Sequence, residues 1–392
     1  MDAEHNETSA LKQAAARAMA SGDLRGARAL LEEAASRPDP DVDLWMSLAA
    51  CRRGLGDLDG ASTAVERALA LQPRHFIGLL MRASLLERRG ERRAAAVAYG
   101  NALTQAPRQD ALDPMTLRAL DHARDEHARY LAELDAMLKR ELGLAGGPDA
   151  ARATVFIERI SGKRRAFHQE PAQFHYPGLP EEEFHSRDAF PWLAELEAAT
   201  DAIRAEAEAV LAVQDDELTP YVRYADGIPL DQWAELNRSR RWSAYHLWLG
   251  GEVVADHARS CPRTMAAIGR LPQPRIPGRL PSAMFSHLAP HTRIPPHTGV
   301  ANFRLVVHLG LILPPGCGFR VGSETREWRR GEAWVFDDTI EHEAWNDSDS
   351  PRTILICDVW NPRLSAAEQE LIAAIVAGMD DFNGFTPAGE DG

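Results

Sequence analysis

Two stretches decide how this chain is read: PPHTGVANFRLVVHLGL (295–311) and WVFDDTIEHEAWND (334–347). In the first, Arg304, Val306 and His308 alternate with Leu305, Val307 and Leu309. A strand sends successive side chains to opposite faces, so this period places one polar row and one apolar row on a sheet. Short strand-like runs recur around it, at 283–288, 303–313, 319–321, 333–336 and 353–359, separated by Gly and Pro turns. That rhythm predicts an antiparallel sandwich or barrel. Upstream, an aromatic run at 242–248 alternates in the same way, and 190–213 reads as helical.

The polar residues of these stretches suggest chemistry. His297 follows two prolines and precedes Thr298-Gly299, where a strand gives way to a turn, and His342 lies at a strand edge after Asp337-Asp338. Neutral imidazoles bind iron, zinc, nickel or copper, and Arg352, ten residues beyond His342, can grip a carboxylate with two parallel donors. The spacing is not HExxH, which excludes the helical zinc-protease motif. Read singly, each histidine also fits an exposed loop position and Arg304 a solvated outer face. If β-strand 303–313 lines a pocket, Arg304 and His308 point into it together. Asp338 is a candidate turn former or a partner that orients His342.

The N-terminal third repeats itself. At a shift of 34 residues, Gly22-Asp23 falls over Gly56-Asp57 and Gly90-Glu91. Ala27, Ala61 and Ala95 then align, as do Ala34, Ala68 and Ala102, and Leu31, Val65 and Tyr99 share a position. Small residues let paired helices approach, and the Gly-acid step turns the chain between them. Residues 7–107 thus resemble three tetratricopeptide repeats, which imply a surface for a protein partner or a rigid spacer. A capping helix and linker follow over 108–148, with a Gly-rich break at 143–148; a strand is expected at 153–159.

With 392 residues and 45% hydrophobic content, the chain can hold several cores, and a net charge of -14 argues against binding nucleic acid or anionic membranes. No apolar run spans a bilayer and no secretory leader is evident, so a cytoplasmic location is expected. Four scattered cysteines, with no CxxC, indicate neither a zinc ribbon nor a disulfide framework.

Taken as a set, Ser286, His297-Thr298-Gly299, RLVVHLGL, WVFDDTIEHEAWND, Arg352 and DVWNP resemble the aspartyl/asparaginyl β-hydroxylase family of oxygenases. The match is dense over about 75 residues, with echoes at FHYPGLP (174–180) and 242–250. The resemblance implies an α plus β multidomain chain: repeats, then a double-stranded β-helix (jelly roll) over 149–365, then a C-terminal helix and tail over 366–392. It implies Fe(II), 2-oxoglutarate and O2 as cofactor and co-substrates, with His297 and His342 as catalytic iron ligands. Ser286, His308, Arg352 and Arg304 are implied around 2-oxoglutarate, although Arg304 could equally meet a substrate carboxylate, since Val306 stands where some members carry arginine. Gly299 replaces the usual third, carboxylate ligand, as the family's two-histidine pattern has it. The implied activity is hydroxylation of an aspartyl or asparaginyl side chain in a peptide or protein, or of a related small molecule. A non-enzymatic jelly-roll adaptor, or a different metal-dependent enzyme of this fold, are the alternatives.

Overall fold

The computed structural model describes residues 2–108, 110, 112–143, 148–213 and 217–384, and the chain divides into two compact units after Arg164. The first unit is helical. Helices α1 (Asp2–Ala20) and α2 (Leu24–Ala35), α3 (Val42–Gly54) and α4 (Leu58–Leu71), and α5 (Phe76–Arg88) and α6 (Arg92–Leu103) pack as three successive pairs. The repeat explains the pairing. Gly22, Gly56 and Gly90 adopt φ of +84°, +81° and +79°, a conformation that an L side chain rarely takes. The next residue caps the second helix: Asp23 and Asp57 accept from the backbone N–H of Gly26 and Gly60, at 2.9 Å each. Glu91, the third in register, makes no such side-chain bond. The aligned alanines 27, 61, 95, 34, 68 and 102 are all buried in the helical core.

Asp113 caps α7 (Pro114–Glu141), against which α8 (Pro148–Ile160) packs. The strand expected at 153–159 is therefore a helix. Thr154, Val155, Phe156 and Ile157 carry β propensity, but the Thr154 hydroxyl donates to the Ala150 carbonyl one turn back, and Ile157 is buried while Phe156 is exposed. A one-sided burial pattern and a partner helix override local preference. Lys163 reaches Asp135 on α7 and Lys139 of α7 reaches Glu158, so this stretch belongs to the helical unit and the β unit begins at Arg165, later than the Gly-rich break, most of which lies outside the described residues.

The second unit holds two antiparallel sheets. The larger runs β1 (Thr219–Pro220), β2 (Trp242–Leu249), β4 (Ala283–Leu288), β11 (Arg352–Trp360), β6 (Arg304–Ile312) and β9 (Ala333–Phe336), with β3 (Glu252–Val253) beside β2. The smaller runs β5 (Thr292–His297), β10 (His342–Asn346), β7 (Cys317–Val321) and β8 (Glu324–Arg326). From β4 onward the chain alternates between the sheets, apart from the β7–β8 hairpin within the smaller one, so that β4, β11, β6 and β9 face β5, β10, β7 and β8. This is the double-stranded β-helix, or jelly roll. Pro295 and Pro296 sit in β5, an edge strand, the position in a sheet that tolerates residues without an N–H.

The two faces of β6 separate as the alternation requires. Leu305, Val307 and Leu309 pack with Ile203, Ala207 and Val210 of α10 (Thr200–Val213), while α9 (Leu193–Ala198) and α12 (Pro262–Ile268) pack on α10 and α11 (Ala255–Ser260) on β2. Val306 belongs to the core between the sheets. The C-terminal helix α13 (Ala366–Asn383) starts with a capping box of Ser365 and Glu368 and is pinned by the Arg279–Asp380 ion pair. The tail beyond 384 is outside the described residues.

Candidate active site

A cavity of about 630 Å³ opens between the sheets. It brings together all six of the residues singled out in the sequence: Ser286, His297, Arg304, His308, His342 and Arg352 all line it. Their strands explain why. His297 ends β5 and His342 begins β10, and the two are paired directly across the sheet. Their ring centroids are 4.1 Å apart. Each Nδ1 donates to the carbonyl two residues earlier, His297 to Pro295 at 2.8 Å and His342 to Ile340 at 3.0 Å. A carbonyl can only accept, so each Nδ1 carries the proton and each Nε2 keeps its lone pair. The orienting partner of His342 is thus a backbone carbonyl, not the Asp338 carboxylate. Burial lowers the pKa of His297, and burial together with the neighbouring His297 holds His342 well below the usual range. Two neutral imidazoles with free lone pairs, side by side, fit a metal cation.

A run of aromatic contacts leads from this pair to Arg352. Phe319 and Phe336 each pack on both His342 and His308, and Trp328 lies 5.9 Å from His308 and 4.8 Å beneath the Arg352 guanidinium. Arg352 is 1% exposed, and its Nε has no partner. Its Nη1 makes only long contacts, 3.4 Å each, to the Ser286 hydroxyl and carbonyl oxygens. Burial without a carboxylate lowers its pKa to about 10, which leaves it protonated at neutral pH. A buried, charged, under-bonded guanidinium is costly unless an anion meets it, and among the described residues no carboxylate is bonded to this one. The Ser286 Oγ already accepts from the indole N–H of Trp242 at 3.2 Å, so its own proton is directed elsewhere. His308 is buried and neutral, its pKa well lowered by burial and then by Arg352, and its Nδ1 has no partner.

Arg304 differs. It donates to Asp338 at 2.7 Å and lies 3.5 Å from Asp358. Burial works against its charge, yet the two carboxylates hold its pKa above the ordinary value. Asp358, which also accepts from the Ser282 N–H, is raised by burial despite Arg304. Asp338 explains Gly299. A Cβ at that position would lie 2.0 Å from Asp338 Oδ2, so the carboxylate of one strand end occupies the room that a side chain at 299 would need. The Gly299 N–H donates to the Asp338 carbonyl at 2.6 Å, and Asp338 Oδ1 is left buried without a partner.

Sequence reasoning passed over the wall opposite these residues. Tyr221 stacks on Trp242 with centroids 3.9 Å apart, and Trp233 meets His297 edge-on at 5.0 Å. Both come from the segment between β1 and β2, where no periodic pattern marks them. Trp345 and Trp360, by contrast, do not line the cavity; Trp360 packs on Phe303. Phe174 and Tyr176, from FHYPGLP, latch onto the β5–β6 connection, Phe174 bridging to Ala301 and the Tyr176 N–H donating to Asn302 at 2.7 Å. Among the described residues, one set of three side chains approaches metal-binding spacing: Glu87, His122 and Glu126, with ligand atoms within 4.8 Å of one another. It lies in the helical unit, and Glu87 is already bonded to Tyr99.

The fold and the cavity together define a class: a jelly roll in which two neutral, paired histidines and a buried guanidinium without a carboxylate share one chamber. The family model described as "Aspartyl/Asparaginyl beta-hydroxylase" matches residues 197–362, and a tetratricopeptide repeat model matches 18–80. The chain is 34% identical over 201 residues to the ornithine lipid ester-linked acyl 2-hydroxylase of Rhizobium tropici, covering 50% of this chain and 67% of that one. It is 26% identical to the human aspartyl/asparaginyl beta-hydroxylase over 376 residues, 90% of this chain and 48% of the relative. The human aspartate beta-hydroxylase domain-containing protein 2 is 33% identical over 53% of this chain and 55% of its own length. The chain therefore belongs to the aspartyl/asparaginyl β-hydroxylase family, whose model reaches from the end of α9 to just past β11, and it spans about half the length of the human relative. No helix among the described residues is long and apolar enough to cross a membrane.

Proposed function

We propose that this chain is an Fe(II)- and 2-oxoglutarate-dependent hydroxylase. The observation that carries the reading is Arg352, a buried guanidinium with no carboxylate of its own, in the same chamber as two imidazoles whose Nε2 atoms are unprotonated. His297 and His342 would hold the iron. Arg352 and the Ser286 hydroxyl would take the far carboxylate of 2-oxoglutarate, and the unpartnered face of His308 would meet its other end. When bound, iron and 2-oxoglutarate supply O2 activation: one oxygen atom goes into succinate as CO2 is lost, and the other into a C–H bond of the substrate.

The chain's own residues bind, orient and shield. Backbone carbonyls of Pro295 and Ile340 fix both imidazole tautomers, which is the usual means of aiming a histidine ligand. Trp242 aims the Ser286 proton away from itself and towards the anion. Phe319, Phe336 and Trp328 keep water from the path between the two ends. The substrate class follows the family: an aspartyl or asparaginyl side chain in a peptide or protein, or a related small molecule, with the lipid acyl chain of the Rhizobium relative as one such molecule. The repeat unit is the candidate surface for a protein partner. The four buried, unbridged cysteines support a reducing, cytoplasmic setting.

The test is release of CO2 from carboxyl-labelled 2-oxoglutarate by the purified chain with Fe(II). Wild type is expected to turn over and His342→Ala to lose turnover. Full activity in that variant would remove the assignment.

A further inference from the structure

Four arginines line the cavity, and the partners of each set what it can offer an incoming molecule. Arg352 faces no carboxylate and, on the hydroxylase reading above, is engaged by the co-substrate. Arg279 is paired with Asp380, away from the chamber acids. Arg223 is exposed at the rim, where water and salt screen it. That leaves Arg304, which donates to Asp338 through Nη2 and is ion-paired at 3.5 Å with Asp358 through Nη1, an atom with no hydrogen-bond partner.

Two acids line the chamber, and both are on Arg304. The formal charges then close before any substrate enters. A divalent metal balances a dicarboxylate, and the two buried arginines balance the two buried aspartates. Beside this group sits Val306, between Arg304 and His308 on the cavity face of β6 and directly across from Asp358 on β11. A further cation at that point would be aimed into the substrate space; the chain places an isopropyl group there. Ile294, Ile354, Ile356 and Met284 continue the apolar lining.

We propose that the substrate enters this chamber with an uncharged, hydrocarbon-bearing reacting end, and that Arg304, Asp338, Asp358 and Val306 together form the device that rejects a carboxylate there. An entering acid meets Asp338 and Asp358, and the charge of the one buried guanidinium beside them is already shared between those two. A bond to the Arg304 Nη1, which has no hydrogen-bond partner, would draw the guanidinium charge away from its own acids and leave them buried and under-compensated. An amide or alkyl group makes no such demand.

The inference rests on the hydroxylase reading, and the experiment separates the two. The full chain is loaded with Zn(II) and N-oxalylglycine, an inert analogue of 2-oxoglutarate, and loading is followed by thermal shift. Failure to load, or loading that Arg352→Met leaves unweakened, counts against the hydroxylase reading itself. The loaded protein is then titrated with isovaleramide and with isovalerate, matched in shape and different in charge, and tryptophan fluorescence is read from the wall that holds Trp233 and Trp242. The amide is expected to bind at least about 10-fold more tightly than the acid. Asp358→Asn should narrow that gap to within about 3-fold, and Val306→Arg should reverse it. An acid that responds as well as the amide, a shared lack of response included, overturns the proposal. So does a gap unchanged in both variants.

Discussion

Arg352 and Arg304 are buried in the same chamber and start neighbouring strands of one sheet, β11 and β6, yet their situations are opposite. Arg304 has two carboxylates and a pKa held up. Arg352 has none and a pKa brought down to about 10. A charge that the fold itself compensates serves architecture, whereas a charge left uncompensated at a cost to stability is held for a ligand. On the proposed reading the two arginines take different roles, although the family resemblance groups both around 2-oxoglutarate.

The largest expected effect tests the compensated member. Arg304→Met strands Asp338 and Asp358 in the interior and should destabilise the β unit by roughly 3–5 kcal/mol, read as a lower urea midpoint. A midpoint within error of wild type would mean that the two acids do not depend on it. Arg352→Met should do the reverse to the protein without co-substrate, raising its melting temperature, because an unpaired buried charge is removed. The same variant should bind 2-oxoglutarate about 100-fold more weakly by calorimetry. If it melts lower and binds normally, the two arginines are not a contrasting pair. Gly299→Ala acts on the Arg304 side by driving a methyl group into the Asp338 carboxylate, and a loss of about 2 kcal/mol is expected. The smallest effect lies on the other side. Trp242→Phe keeps an aromatic ring against Tyr221 but withdraws the N–H from Ser286, so 2-oxoglutarate affinity should fall about 5-fold with little change in maximal turnover. A change in turnover at unchanged affinity would place Trp242 elsewhere in the reaction.

The alternation in RLVVHLGL was enough to send Arg304, Val306 and His308 into one chamber and their neighbours into another core, because a strand's period allows nothing else. The repeat was legible for a comparable reason: each Gly-acid step is a local turn and cap, and it recurs at a fixed interval. Residues 153–159 were misread since β-branched residues mark a strand only when no helix is present to pack against, and the packing on α7 is a tertiary contact that the local pattern does not carry. Tyr221 and Trp233 were invisible for want of any period. The pairing of Arg304 with Asp338 and Asp358 could not be read either, as those acids lie 34 and 54 positions further along the chain and meet it only through the jelly-roll winding.

Pro295 and Pro296 have a consequence beyond the geometry of His297. A sheet edge invites other extended chains to dock on it, and an edge next to a reactive centre would be a hazardous place for such docking. Neither proline has an N–H to lend to a visiting strand. The outer margin of β5 is thus a poor template for aggregation, and the mouth beside it stays open to small entrants without becoming a seam for another polypeptide backbone.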